Sequence, residues 1–202
     1  MEFDQVIETR RSVRKFTADP VPEHYIFELL EAARLAPSGL NVQPWRFVVV
    51  KDKTLREQLA TATPSRMVAE APLIIICLVD TRAMGSIQNR INELHNVGAF
   101  TGTYFEGKSA GDFFDNKNVN EFWIKSNLAF NAAIGIEHII LKAVDLGLSS
   151  CWIGSFDSGK IKELVGIEAY YDVITLLPMG YAAKVPAQRP RFSMDEIVLK
   201  VI

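Results

Sequence analysis

Arg10-Arg11-Ser12-Val13-Arg14-Lys15-Phe16 crowds four cations and a hydroxyl into seven residues, directly after the first helical pattern of the chain. Arginine presents a planar fork of donors that matches phosphate oxygens, and a serine among arginines adds a short donor at close range. A solvated basic face would account for this spacing equally well. What favours an anion site is a second cationic knot, Arg189-Pro190-Arg191, near the other end of the chain. If both knots meet on one ligand, the fold between them is a scaffold for an anionic cofactor.

Working outward, residues 2–9 place Phe3, Val6 and Ile7 on one helical face. Asp19-Pro20-Val21-Pro22 breaks the chain and starts a second helix, in which Ile26, Leu29, Leu30 and Ala33 recur at helical spacing up to Ala36-Pro37. Ser38-Gly39-Leu40-Asn41-Val42-Gln43-Pro44-Trp45 then supplies turn formers together with donors and acceptors. It leads into a strand, Phe47–Val50, and a helix, Thr54–Ala60. Leu73–Val79 is apolar on both faces, the mark of a central strand. Residues 81–125 hold a helix around Ile87–Val97 and then many aromatics, among them Phe100, Tyr104, Phe105, Phe113, Phe114, Phe122 and Trp123. This segment reads as a variable lid, its aromatics serving as a satellite hydrophobic cluster, a substrate wall, or both.

Trp123–Leu146 is the longest helical pattern, and its low charge implies burial in the core or in a dimer interface. Gly147 ends it. Strands are expected at Leu148–Ile153 and Tyr171–Gly180, with a short helix capped by Asp157 running to Val165 between them. The arm at 182–202 is rich in proline and cations and finishes in an alternating run, Ile197–Ile202, which reads as a lone final strand. Such an arm suits exchange with a partner subunit. Helices and strands are interspersed without a repeat or a linker, so the expectation is one α+β unit over 1–202, a mixed or antiparallel sheet flanked by helices.

The 202 residues, 49% of them apolar, suffice for a continuous core. With 22 basic and 24 acidic residues the formal charge is −2, which gives no field for steering to nucleic acid or to an anionic membrane; any anion site is local. No run approaches the ~18 apolar residues that span a bilayer. The acidic and polar start argues against a signal peptide. Cys77 and Cys151 sit far apart in apolar runs and read as buried hydrophobes, so a reducing, cytoplasmic setting is the expectation.

Several chemistries are disfavoured. Gly102-Thr103-Tyr104-Phe105-Glu106-Gly107-Lys108-Ser109 satisfies the phosphate-loop pattern, but no buried strand precedes it and its bulky, acidic middle would crowd a triphosphate. No G-x-G-x-x-G follows a strand. His24, His95 and His138 lack ligand-spaced partners, which makes a zinc site a poor reading. There is no nucleophile elbow. Chemistry would then be carried by a bound cofactor, with the protein supplying position and electrostatics.

Taken together, these stretches resemble the FMN-dependent nitroreductase family. Arg10 to Phe16 looks like its N-terminal cofactor motif, and Ala36-Pro37-Ser38-Gly39-Leu40-Asn41-Val42-Gln43-Pro44-Trp45-Arg46-Phe47 is similar to its A-P-S-S-x-N-x-Q-P-W-x-F loop. Leu146 to Gly154, Leu176 to Tyr181 and Arg189-Pro190-Arg191 complete the order. The resemblance implies a homodimer with an exchanged C-terminal strand, FMN at the subunit interface and NAD(P)H as electron donor. Arg10, Ser12 and Arg14 would contact the phosphate, ribityl chain and pyrimidine edge, with Arg11 adjacent and Arg189 and Arg191 closing on the phosphate. Pro37, Ser38, Gly39 and Asn41 would approach from the partner chain, while Trp152, Ile153 and Gly154 would run beside the isoalloxazine. The activity implied is reduction of a nitroaromatic, quinone or similar acceptor. A flavin-binding module without turnover, a dehalogenase and a flavin-fragmenting oxygenase are the alternatives, though the lid has no convincing Glu, Tyr and Lys set for a halotyrosine. Two departures stand out: Gly39 replaces a usual serine, and Asn131, Glu137 and His138 replace the Asp, Gln and Asn common on the long helix.

Overall fold

The computed structural model describes residues 1–114 and 120–202, so the part of the expected lid at 115–119 lies outside the described residues. In chain order the elements are α1 (Phe3–Thr9), α2 (Glu23–Arg34), β1 (Trp45–Val50), α3 (Lys53–Ala60), α4 (Met67–Glu70), β2 (Leu73–Asp80), α5 (Ile87–Asn96), α6 (Ala110–Phe113), α7 (Glu121–Asp145), β3 (Ser149–Ser150), α8 (Ser158–Val165), β4 (Tyr171–Gly180) and α9 (Met194–Ile197). Local chemistry sets their ends. The Asp52 carboxylate accepts from the Leu55 N–H and the Asp157 carboxylate from the Lys160 N–H, each satisfying an otherwise orphaned helix donor. Gly166 closes α8 in the left-handed conformation.

Among the described residues the sheet has four strands in the order β1-β2-β4-β3, and every neighbouring pair is antiparallel. All eight residues of β2 are buried because both faces of the sheet are covered. Alternation along the strand sends Ile75, Cys77 and Val79 into a layer with α2 and α7, and Ile74, Ile76 and Leu78 into a layer with α3, α4 and α8. Where α7 crosses β1, Gly135 lets the helix approach until an added Cβ would lie 3.3 Å from the Trp45 ring. By length and mean hydropathy α7 is apolar enough to cross a bilayer, which corrects the expectation that no run comes near that limit. Its Leu128, Ala132, Ile136, Ile139 and Ala143 are instead buried against α2 and the sheet.

Two expected strands differ. The one over Leu148–Ile153 shortens to Ser149–Ser150. The Cys151 N–H does donate to the Pro178 carbonyl, but proline has no N–H to return, so the ladder is interrupted before Ile153 pairs again with Leu176. Within the single chain Ile197–Ile202 forms no strand: Met194–Ile197 is one helical turn with a Ser193–Glu196 capping box, and 198–202 pair with nothing in its own sheet. The arm runs clear of the core, every residue from 187 to 202 being exposed.

Candidate functional site

The cationic segment lies along the end of the sheet as extended backbone. The Val13 N–H donates to the Ser150 carbonyl at 3.0 Å, the Ala183 N–H to the Lys15 carbonyl at 2.9 Å, and the Thr17 N–H to the Tyr181 carbonyl at 2.9 Å. Val13, 1% exposed, is the apolar peg that fixes the register, and Phe16 packs beside the second core layer. Alternation then turns Ser12 and Arg14 the other way, where with Lys15, Lys184 and Pro186 they line a recess of ≈ 200 Å³. Lys15 therefore adds to this cationic recess.

Burial holds the Cys151 thiol above its usual range, against the opposing charges of Arg14, Arg189 and Arg10. Arg11 is directed elsewhere, donating to the carbonyls of Glu8 at 2.6 Å and Arg10 at 2.9 Å, where it closes the end of α1. Arg191 folds back on the carbonyls of Arg189 and Pro190. Arg14, Lys15 and Lys184 lining one recess with Ser12 form a donor set that fits a phosphate monoester.

The second predicted region, the loop from Pro37 to Gln43, has a different construction. Leu40, Asn41 and Gln43 all take positive φ, at 48°, 55° and 43°. Side chains without glycine's freedom adopt this conformation at a cost of ~1–2 kcal/mol each, less for asparagine, so such a run persists only where the surroundings impose it. The bonds that impose it are specific. The Gln43 N–H donates to Ser38 Oγ at 3.0 Å, and Gln43 Nε2 donates to Asn41 Oδ1 at 2.9 Å. The Gly39 N–H donates to Asn131 Oδ1 of α7 at 2.7 Å.

At the third region Trp152 is 40% exposed and Ile153 only 6%, so the tryptophan faces outward while the isoleucine serves the core. The Ile153 N–H is already committed to the Leu176 carbonyl at 3.0 Å. Gly154 is exposed, with open space where a Cβ would stand.

The lid aromatics are both a cluster and a wall. Phe105 and Phe113 stack at 5.2 Å between centroids, with Phe100 at 5.4 Å from Phe105. On their other side, together with Pro37, Ser38, Leu40 and Asn41, they border a cavity of ≈ 660 Å³. Another cavity of ≈ 660 Å³ is lined by Pro20, Lys51 and Arg56 among others, and by none of the predicted site residues. The phosphate-loop pattern at 102–109 is a set of turns: Gly102 and Gly107 are left-handed, and the Gly102 N–H donates to the Glu106 carboxylate, leaving no cradle for an anion. Among the described residues no group of three potential metal ligands occurs.

Two of the departures on the long helix gain a structural account here. Asn131, 3% exposed, pins the loop. Loss of hydration around the Glu137 carboxyl raises its pKa, and the charges of Arg10 and His138 oppose that rise.

The model of the Nitroreductase family matches residues 7–97 and 115–181 of the chain. A Thermus thermophilus protein named NADH dehydrogenase is 29% identical over 196 residues, covering 94% of this chain and 91% of its own length. The crystal structure of a nitroreductase family protein from Streptococcus pneumoniae superimposes with a TM-score of 0.80 at 28% identity, over 99% of this chain and 100% of that one. A protein from Exiguobacterium sibiricum, solved in complex with FMN, has the same fold, with a TM-score of 0.83 at 23% identity over 98% and 96% of the two chains.

Proposed function

Because the chain belongs to the nitroreductase family, we propose that it is an FMN-dependent oxidoreductase, moving hydride from NAD(P)H to a nitroaromatic, quinone or similar acceptor. The observation that supports this reading is the cationic recess at the edge of the sheet lined by Ser12, Arg14, Lys15 and Lys184. FMN, when bound, would supply the redox chemistry, hydride transfer from the nicotinamide to the acceptor.

The chain's own residues bind and orient. Arg14 and Arg189, with Ser12, would hold the phosphate and ribityl end, and Arg10 would reach the pyrimidine edge. There a fixed cation stabilises the negative charge that reduction develops, as in an oxyanion hole. Trp152, Ile153 and Gly154 would flank the ring system. Pro37, Ser38, Gly39 and Asn41 would come from a second copy of the chain, and the aromatic cavity behind them would exclude water from the acceptor.

Two features support a homodimer. The outer face of α7 exposes Phe122 at 80% and Phe130 at 69%. The arm carries Phe192, Leu199 and Val201 in solvent, suited to burial on a partner, where Arg191 would join the site.

Titration with FMN and with riboflavin tests the reading. The protein should bind both and turn yellow. Arg14→Ala should weaken FMN by ~10-fold or more, the worth of a charge-assisted bond, and leave riboflavin unchanged. No flavin uptake by the wild type would overturn it. Oxidation of NAD(P)H with an added acceptor then separates an enzyme from a flavin-binding module.

A further inference from the structure

Asn131 is one of the few buried polar side chains, and each of its amide atoms is used in one sense only. Oδ1 accepts the Gly39 N–H at 2.7 Å from a loop ninety-two residues away. Nδ2 donates to the Asn127 carbonyl at 2.8 Å and to Asn127 Oδ1 at 3.1 Å. The position therefore requires an acceptor toward the loop and a donor toward the helix, which a neutral amide provides and a carboxylate cannot. The height of the residue is fixed by the close seat of α7 on Trp45 at Gly135, one turn further on.

The target of the bond matters as much as its geometry. Gly39 opens the short turn in which Leu40 and Asn41 take left-handed backbone. Two of the bonds that hold the loop, Gln43 N–H to Ser38 and Gln43 Nε2 to Asn41, lie within it and would move with it. The bond to Asn131 ties that turn to the core. Space does not dictate glycine at 39, since an added Cβ would stand 3.6 Å from Asn131 Oδ1, an ordinary contact.

We propose that Asn131 is a positioning residue: acting through the Gly39 N–H, it holds the loop from Pro37 to Asn41 in the left-handed form that meets the flavin. The proposal rests on the flavin reading above. Asn131 does not touch the cofactor, and its amide has no charge to titrate.

Two variants test it, read as the ratio of their FMN dissociation constant to that of wild type at the same pH, which cancels the titration of the ligand. Asn131→Leu removes both bonds and should bind FMN about tenfold more weakly at every pH, the scale of one lost buried hydrogen bond. Its Gly39 amide should also exchange faster with deuterium. Asn131→Asp keeps an acceptor for the Gly39 N–H at every pH and loses only the donor to Asn127, so its ratio should stay near one while its melting temperature falls. A role in stability alone would lower the melting temperature of both variants and leave the leucine ratio at one, which would overturn the proposal. If Asn131→Leu does not fold, Asn131→Ala removes the same acceptor, a ratio near one counting against the proposal. Failure of the wild type to take up FMN would overturn the flavin reading and this proposal with it; uptake with unchanged ratios would overturn the proposal alone.

Discussion

On the proposed function, the cationic segment from Arg10 to Phe16 and the loop from Pro37 to Gln43 would face the same task by opposite means. The first keeps an unstrained, extended backbone, paired with Ser150, Tyr181 and Ala183, and concentrates charge on its side chains. The second carries no charge and concentrates cost in its backbone, with left-handed residues at Leu40, Asn41 and Gln43. A phosphate needs cations, which any register-fixed strand can present. A flat, neutral ring system needs backbone and amide groups at close range, and those can be aimed only by bending the chain into an uncommon conformation.

The sharpest way to break this contrast is to give both regions the same substitution. Val13→Gly removes a fully buried peg from a backbone that needs no freedom, so lost burial and added unfolded-state entropy act together. A loss of about 3 kcal/mol in urea unfolding is expected. Leu40→Gly, by contrast, relieves a left-handed side chain worth ~1–2 kcal/mol while giving up a partly buried contact of similar size, so stability should stay within about 1 kcal/mol of wild type. Equal losses in the two variants would show that the loop is not strained relative to the segment. The freed loop should nonetheless bind FMN a few-fold more weakly, because glycine also permits conformations that do not fit.

The same contrast explains what could be read without coordinates. Charge and periodicity are local properties, so the arginine knots, α2, β2 and the core face of α7 were legible from Arg10, Leu29, Ile75 or Ile136 and their neighbours. The loop motif was visible through Ser38, Asn41 and Gln43, but its handedness was not, since none of the three left-handed residues is a glycine. Its tether to Asn131 spans ninety-two residues and belongs to tertiary packing alone. The short β3 follows from Pro178, whose missing N–H acts on a neighbour far away in sequence. The separate fates of Arg11 and Arg14 depend on which side of an extended strand each faces, which a cluster of like residues conceals.

A smaller effect concerns a carboxylate that feels the charge of the cationic region. Glu137 lies on α7, and loss of hydration raises its pKa against the opposing charges of Arg10 and His138. The sign follows from linkage: with the folded value above the unfolded one near 4.3, the folded state holds the proton more tightly, so this group's contribution favours folding at low pH and turns against it as pH rises through the two values. Glu137→Gln removes that opposition. Urea unfolding should therefore show the variant more stable than wild type at pH 7, by no more than about 0.5 kcal/mol for a surface-accessible site, and indistinguishable from it at pH 3. FMN affinity should rise slightly at pH 7 as well, since Arg10 no longer divides its charge between a carboxylate and the ligand. A variant less stable at pH 7 would mean that the Arg10 attraction outweighs the lost hydration, and Glu137 would then belong to the cationic segment as its counter-ion.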